Sequence, residues 1–295
     1  MKIGIIGGGA IGLLVASYFH QQKHQIMLYT RTDEQATIIN ESGILLSLNE
    51  NISQMCINAK KLSSHIDPCD ILIICVKQYH LDKIKSVIDN FKGDTILFLQ
   101  NGMSHIEYVK KLSINNCFIG IVEHGALKIS MNEIKHTGLG TIRIGQIKGN
   151  QEGLQKLLTL HTEWFTLQFE KNWLYILHQK CLINCTINPL TAILNIRNGE
   201  LITNDYFKQI SKLLFNEVAR VLQLNEEVEW QKVIEICEKT SMNYSSMNRD
   251  LYFGRETEIE SMLGYVKNLA IQKKINVPTI ELVYNVIKGL EKKKG

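Results

Sequence analysis

This chain is short of proline, of paired cysteine, of net charge and of long apolar runs, and each shortage removes a class of protein. Only three prolines occur in 295 residues, so each marks local structure, Pro189 most of all. The seven cysteines are an odd number and form no CxxC pair. That is a poor framework for disulfides or for zinc, and it points to a reducing, cytoplasmic setting with no metal. Cys181 and Cys185 stand four apart without a partnering histidine and read as small packing residues. The formal charge is +4, of which Lys292, Lys293 and Lys294 at the carboxyl end supply three, so nucleic-acid binding has little support. That Lys-rich end reads as solvated. No apolar run approaches the roughly 18 residues of a membrane span, and the strongest, Ile71–Val76, has the length of a strand. What remains is a chain 45% apolar and 21% charged, the composition of a soluble globular protein with room for about two domains.

Glycine, by contrast, is concentrated where it has a use. Lys2–Ile6 is a β-branched run, Gly7-Gly8-Gly9-Ala10-Ile11-Gly12 follows at once, and Leu13–Gln22 continues with apolar and helix-forming residues. Strand, GxGxxG turn and helix in that order form the pattern that cradles a dinucleotide pyrophosphate. Gly7 permits the turn, Gly9 keeps a Cβ away from the phosphates and Gly12 lets helix and strand pack closely. The free N–H groups at the helix start then face the anion. The same stretch imitates a secretory signal, since Lys2 precedes an apolar run ending in Val15-Ala16-Ser17. Five glycines among the first twelve residues would dilute that run, whereas the turn needs them in place.

The second strand, Gln25–Tyr29, ends in Thr30-Arg31-Thr32, about 20 residues beyond the turn, where an NAD site places an acid on the ribose hydroxyls. Arg31 suits the extra 2′-phosphate of NADP(H) instead, with Asp33 close enough to keep NAD as the minority reading. Strand-like runs at Asp70–Val76 and Thr95–Leu99, with helical patterns at His80–Phe91 and Ser104–Leu112, predict a parallel sheet with helices on both faces. Ligands meet such sheets at the carboxyl ends of strands, which is where Lys77-Gln78 and Gln100-Asn101-Gly102 fall.

From about Asn150 the alternation stops, apart from a short strand at Leu167–Phe169. Helical patterns cover Asn172–Ile187, Tyr206–Leu222, Val228–Lys239, Ile259–Lys273 and Thr279–Glu291. The chain therefore reads as α/β over residues 1–170 and all-α over 171–295. Lys180, Asn184 and Asn188 recur at a spacing of four and share one helix face. Pro189 is expected to break or kink that helix, because it lacks an N–H and disfavours the helical conformation before it. Further polar clusters stand at Asn198-Gly199-Glu200 and Asn243-Tyr244-Ser245-Ser246. Thr257 and Glu260 have the spacing of a capping box, which leaves Glu258 without a structural explanation.

These residues together resemble the ketopantoate reductase family nearly end to end. The resemblance is carried by Lys180-x-x-x-Asn184-x-x-x-Asn188-Pro189-Leu190-Thr191-Ala192, Asn198-Gly199-Glu200-Leu201, the opening glycine turn, Asn101-Gly102-Met103 and Ser245-Ser246-Met247. It implies a Rossmann-type domain (1–170) joined to a helical substrate domain (171–295), with NADPH and substrate in the cleft between. It also implies that Lys180 is the catalytic lysine, that Asn184, Asn188, Asn198 and Ser246 touch substrate with Asn243 alongside, and that Lys77, Asn101, Glu258 and Ala126 belong to the cofactor or active-site positions. Chemically this is coherent. Hydride arriving at the C2 carbonyl of an α-keto acid leaves charge on oxygen, which a nearby ammonium stabilises and protonates, while a carboxylate such as Glu258 orients it. The partners expected are a small 2-keto acid, no nucleic acid and no membrane, with a homodimer compatible with the sequence but not legible in it. Glu123, next to His124, has no assignable direction. Two other readings stand beside this one: a reductase of another branched 2-keto acid, and an NADPH-binding sensor that has lost its chemistry.

Overall fold

Strand β1 (Lys2–Ile6) is buried at every position but its first, as a strand covered on both faces must be. In the computed structural model, which describes residues 1–49 and 51–293, it lies inside an eight-stranded sheet. Lys294 and Gly295 of the Lys-rich end fall outside the described residues. The sheet takes in β2 (Gln25–Thr30), β5 (Asn58–Lys61), β6 (Ile71–Ile74), β7 (Thr95–Phe98), β8 (Asn116–Val122), β11 (Thr141–Lys148) and β12 (Thr166–Phe169), in the order β12-β11-β8-β7-β6-β1-β2-β5. All neighbours are parallel except β8 and β11. The parallel sheet is thus as expected, with one antiparallel junction added.

A second, four-stranded sheet was not anticipated. It orders β4 (Asn51–Met55), β3 (Ile44–Leu48), β10 (Glu133–Gly138) and β9 (Gly125–Lys128). Helix α1 (Ala10–Gln21) touches β1 and β2 of the large sheet and β3, β4, β9 and β10 of the small one. Every residue from Gly12 to Phe19 is buried, because this helix is covered all round. Helix α2 (Asp33–Ser42), capped by Thr32, packs on β2 and β5. The helical run expected over His80–Phe91 is interrupted: α3 (Gln78–Leu81), a 3-10 turn (Asp82–Ile84) and α4 (Lys85–Asp89) replace it, because buried Ile84 leaves helical geometry at φ −117°, ψ 0°. α5 (Ile106–Lys111) and α6 (Gln151–Leu158) complete this part.

The chain divides into two compact units, Met1–Gln100 with His105–Trp173, and Asn101–Ser104 with the chain from Leu174 onward. The second unit is helical: α7 (Trp173–Leu194), α8 (Glu200–Thr203), α9 (Asp205–Leu222), α10 (Glu226–Lys239), α11 (Ser246–Tyr252), α12 (Leu263–Lys273) and α13 (Pro278–Lys293). The helix does not break at Pro189: α7 runs through it as one helix of 22 residues. Just beyond the proline, the Thr191 hydroxyl bonds back to the helix, with Oγ1 2.9 Å from the Ile187 carbonyl and 3.1 Å from that of Asn188. The expected capping box is also absent. Thr257 gives its N–H and hydroxyl to Glu291, 2.9 and 2.7 Å away, while Glu260 accepts from Tyr284 at 2.6 Å. Glu217, buried on α9, receives the N–H groups of Thr279 and Ile280 and so caps α13, which opens on Pro278.

Buried histidines give the first unit a pH dependence. His105 is 1% exposed beneath Phe98, and burial pushes it down to about 4. His124 falls to about 4 through burial and then through His136. Gly140 N–H donates to His124 Nδ1, so His136 Nε2 donates to that nitrogen and the Tyr18 hydroxyl donates to His136 Nδ1. A folded-state value below the unfolded 6.5 means that the unfolded chain binds the extra protons. Stability is full above pH 6.5 and is lost as pH falls toward 4. Urea unfolding at pH 5 should show a lower stability than at pH 7, by roughly 1–2 kcal/mol for each of His105 and His124. His105→Phe should remove part of that difference, and identical wild-type midpoints at the two pH values would refute the account.

Candidate functional site

The turn after β1 is shaped by backbone meeting backbone. Gly7 has φ +118°, and a Cβ there would stand 2.9 Å from the Cys75 carbonyl carbon. A Cβ on Gly12 would collide with the Gly7 carbonyl oxygen, whereas one on Gly9 would meet only open space. The first two glycine requirements are therefore internal to the turn, and the third leaves room for a ligand. Gly9 caps α1 without a side chain, so the first-turn N–H groups of that helix have no side-chain competitor for an anion.

In front of the turn lies a cavity of about 400 Å³ lined by Gly7, Gly8, Gly9, Arg31, Lys77, His80, Lys83 and Lys128 among others. Arg31 arrives from the end of β2 and Lys77 from the end of β6, as the carboxyl-end rule requires. Asp33 is drawn away to Lys61 at 2.8 Å, which leaves Arg31 as the charged residue that β2 presents to the cavity. His80 is pushed below its usual value by burial, then by Arg31, Lys83 and Lys77. Ala10, Ile11 and Ala126 are partly buried, their side chains packed against the hydrophobic core of this unit. Glu123 is paired with Arg143 at 2.9 Å and so has a structural partner. A second cavity, about 430 Å³, is lined by Asp67, Pro68, Cys69, Phe91 and Gly93 at the amino ends of β6 and β7, away from the end where such sheets bind ligands.

In the helical unit, Lys180, Asn184 and Asn188 form a half-buried row on α7. The Asn188 end is stitched to α11. Thr191 Oγ1 lies 2.8 Å from Ser245 Oγ, Ser245 caps α11 by accepting the Asn248 N–H, and Asn248 Nδ2 donates to the Thr191 carbonyl at 3.0 Å. Ser246, the residue singled out from the sequence, is exposed at the first position of α11. Thr191 and Asn248 were missed; Ser245 three residues before Asn248 was the available sign of a cap. Asn198 is buried and its N–H donates to the Asn243 carbonyl at 3.0 Å, which brings those two together. Its Nδ2 is taken by Thr240, and its Oδ1 is buried without a partner.

Asn101 belongs to this unit rather than to the sheet whose edge it follows. Gly102, at φ +81°, lies so close to Ser261 that a Cβ would stand 2.5 Å from its carbonyl oxygen, and Met103 N–H donates to that oxygen. Ser261 Oγ donates to the Glu258 carbonyl at 3.0 Å, and Glu258 is itself buried. Ser261 thus joins the Asn101 segment to the Glu258 turn. Among the described residues no group of His, Cys, Asp and Glu is arranged to hold a metal ion.

Two family models match the chain one after the other. The family model described as ketopantoate reductase PanE/ApbA matches residues 3–149, and the model for its C-terminal part matches 172–291. The chain is 38% identical to the 2-dehydropantoate 2-reductase of Bacillus subtilis, covering 99% of this chain and 98% of that one. It is 34% identical to the enzyme of the same name from Listeria innocua, with coverage of 99% and 97%. The crystal structure described as probable 2-dehydropantoate 2-reductase PanE from Bacillus subtilis superposes with a TM-score of 0.87 at 37% identity, over 98% of this chain and 100% of that one.

Arg31, which lines the cavity, is the cation expected from the sequence to meet a 2′-phosphate. Arg31→Asp should shift the NADPH to NADH preference toward NADH by about tenfold or more, read as the ratio of kcat/KM values. An unchanged ratio would place Arg31 outside the site.

Proposed function

The chain belongs to the ketopantoate reductase family, and from that premise we propose how its residues divide the reduction of ketopantoate to pantoate, a step of pantothenate formation. The enzyme is an NADP-dependent oxidoreductase acting on a CH–OH group. The observation that carries the assignment is the half-buried row of Lys180, Asn184 and Asn188 on one helix face, a single cation followed by two carboxamides.

The glycine turn fits a dinucleotide on its own geometry, since a Cβ on Gly9 would point into empty space and the cavity is lined by cations. Gly7 to Gly12 and the start of α1 hold the pyrophosphate, Arg31 the 2′-phosphate, and Lys77, Asn101 and Ala126 the nicotinamide end. NADPH, when bound, supplies the hydride. Lys180 hydrogen-bonds the C2 carbonyl oxygen, stabilises the charge that develops there and gives it a proton, so that one hydride and one proton convert C=O into CH–OH. Glu258 orients the ammonium and faces the cofactor. Asn184, Asn188, Asn198, Asn243 and Ser246 hold the substrate carboxylate and hydroxyl, and a 2-keto acid lacking the hydroxyl leaves those donors unmet. The buried, unpartnered Oδ1 of Asn198 is an acceptor suited to that hydroxyl.

Relatives that share this function over the whole chain favour catalysis over a sensor, and ketopantoate over another keto acid. Among the described residues no helix is long and apolar enough to cross a membrane. A cytoplasmic location and a homodimer are part of the same proposal. The first rests on seven free cysteines, and the second on the exposed row Tyr206, Ile210 and Leu213 along one face of α9.

Lys180→Ala should lower kcat for ketopantoate reduction by about 10²-fold or more while NADPH still binds. Initial rates with ketopantoate, 2-ketoisovalerate and pyruvate, together with a fluorescence titration of NADPH, provide the check. Full activity in the variant would remove Lys180 from the mechanism, and preference for 2-ketoisovalerate would change the substrate.

A further inference from the structure

The cavity at the glycine turn holds more positive charge than one 2′-phosphate requires. Arg31, Lys77, Lys83 and Lys128 line it, beside a His80 that burial and these cations push toward its neutral form, and no carboxylate does. Among the described residues, the ion pairs within 4 Å include none for Arg31, Lys83 or Lys128. Such unmet charge on the wall of a concave site is a demand for an anion.

Lys128 is set apart from the others by where it comes from. It stands at the end of β9 in the small sheet, is half-buried, and donates from Nζ to the Gly8 carbonyl at 2.8 Å. Gln35 of α2 donates to the same oxygen at 2.8 Å and to the Met131 carbonyl at 2.7 Å. Both lone pairs of the Gly8 carbonyl are thereby used, so the peptide is held from two elements and the neighbouring N–H groups keep their direction. A carbonyl satisfies one of three ammonium protons and neutralises none of the charge. Burial, then Arg31, pushes the Lys128 pKa below its usual value, as expected of a cation withdrawn from water without a counter-ion.

We propose that Lys128 is a cofactor-binding residue outside the glycine motif: its ammonium, fixed by the Gly8 carbonyl, faces the pyrophosphate of the dinucleotide. The assignment rests on the reading of this cavity as the NADPH site. The pyrophosphate is common to NADPH and NADH, so Lys128 serves both, whereas Arg31 serves only the phosphorylated form. Gln35 shares the pin on Gly8 and contributes no charge.

The test is a fluorescence titration of NADPH and of NADH against wild type, Lys128→Met, Lys128→Arg and Gln35→Leu at several salt concentrations. Lys128→Met should raise both dissociation constants by a similar factor, about ten- to a hundredfold, and flatten their salt dependence. Lys128→Arg should keep the wild-type salt dependence, and Gln35→Leu should weaken binding without flattening it. Loss confined to NADPH, or weaker binding with the salt dependence unchanged in Lys128→Met, would overturn the proposal. Equal flattening in Gln35→Leu would overturn it too, since it would trace the effect to the turn rather than to the charge. A wild-type protein that bound neither nucleotide would remove the reading of the cavity itself.

Discussion

The closeness of α1 to the turn that precedes it is the constraint on which the amino-terminal site depends. Gly12 approaches the Gly7 carbonyl with no room for a Cβ, and Gly7 itself lies against the start of the segment after β6. This contact allows the helix to begin directly over the end of β1, so that its first turn looks into the cavity. The approach is maintained by burial along the rest of the helix, from Leu13 to Phe19, between the two sheets. A helix held on both sides has little freedom to tilt, and the direction of its N–H groups is accordingly set by the core and not by the ligand. Polar bonds reinforce this from the small sheet, through Lys128 to Gly8 and through His136 to Tyr18.

In the helical unit the corresponding constraint is the continuity of α7 through Pro189. Three residues at a spacing of four share a face only while the helix persists. A break before Asn188 would have uncoupled its side chain from those of Lys180 and Asn184. The hydroxyls of Thr191 and Ser245 and the amide of Asn248 meet the turn of α7 that follows the proline, and they tie α11 to it. Rigidity of the polar row and placement of Ser246 thus have one cause.

Much of this was legible from the chain alone where the determinants are local. The β1 turn, the start of α1, the polar row on α7 and the extents of α9, α10 and α13 follow from periodicity and from glycine placement. The small sheet was not, because its strands pair residues 45–47 with 133–135 and carry short, mixed patterns. A sign was nevertheless present: α1 is apolar around its whole circumference, which a helix on one face of a single sheet has no reason to be. The Thr257 and Glu260 pattern failed for the opposite reason. It is locally adequate, but Glu291 reaches Thr257 from 34 residues away and takes both of its donors. Pro189 likewise does not end its helix, which continues to Leu194: the missing N–H removes one bond from a ladder of 22 residues and leaves the others in place.

The four residues Asn101–Ser104 bear on how the chain could be divided. The chain leaves its first unit after Gln100, contributes this short segment to the second, returns at His105, and departs finally after Trp173. A gene fragment ending near residue 170 would therefore encode Gly102 in a left-handed conformation without the Ser261 backbone against which that conformation is packed, while the complementary fragment would lack the strand of chain that Ser261 holds. Recombination between relatives at that point would pair a segment from one parent with a seat from the other. Any such exchange would have to keep the Gly102 turn and its Ser261 seat matched.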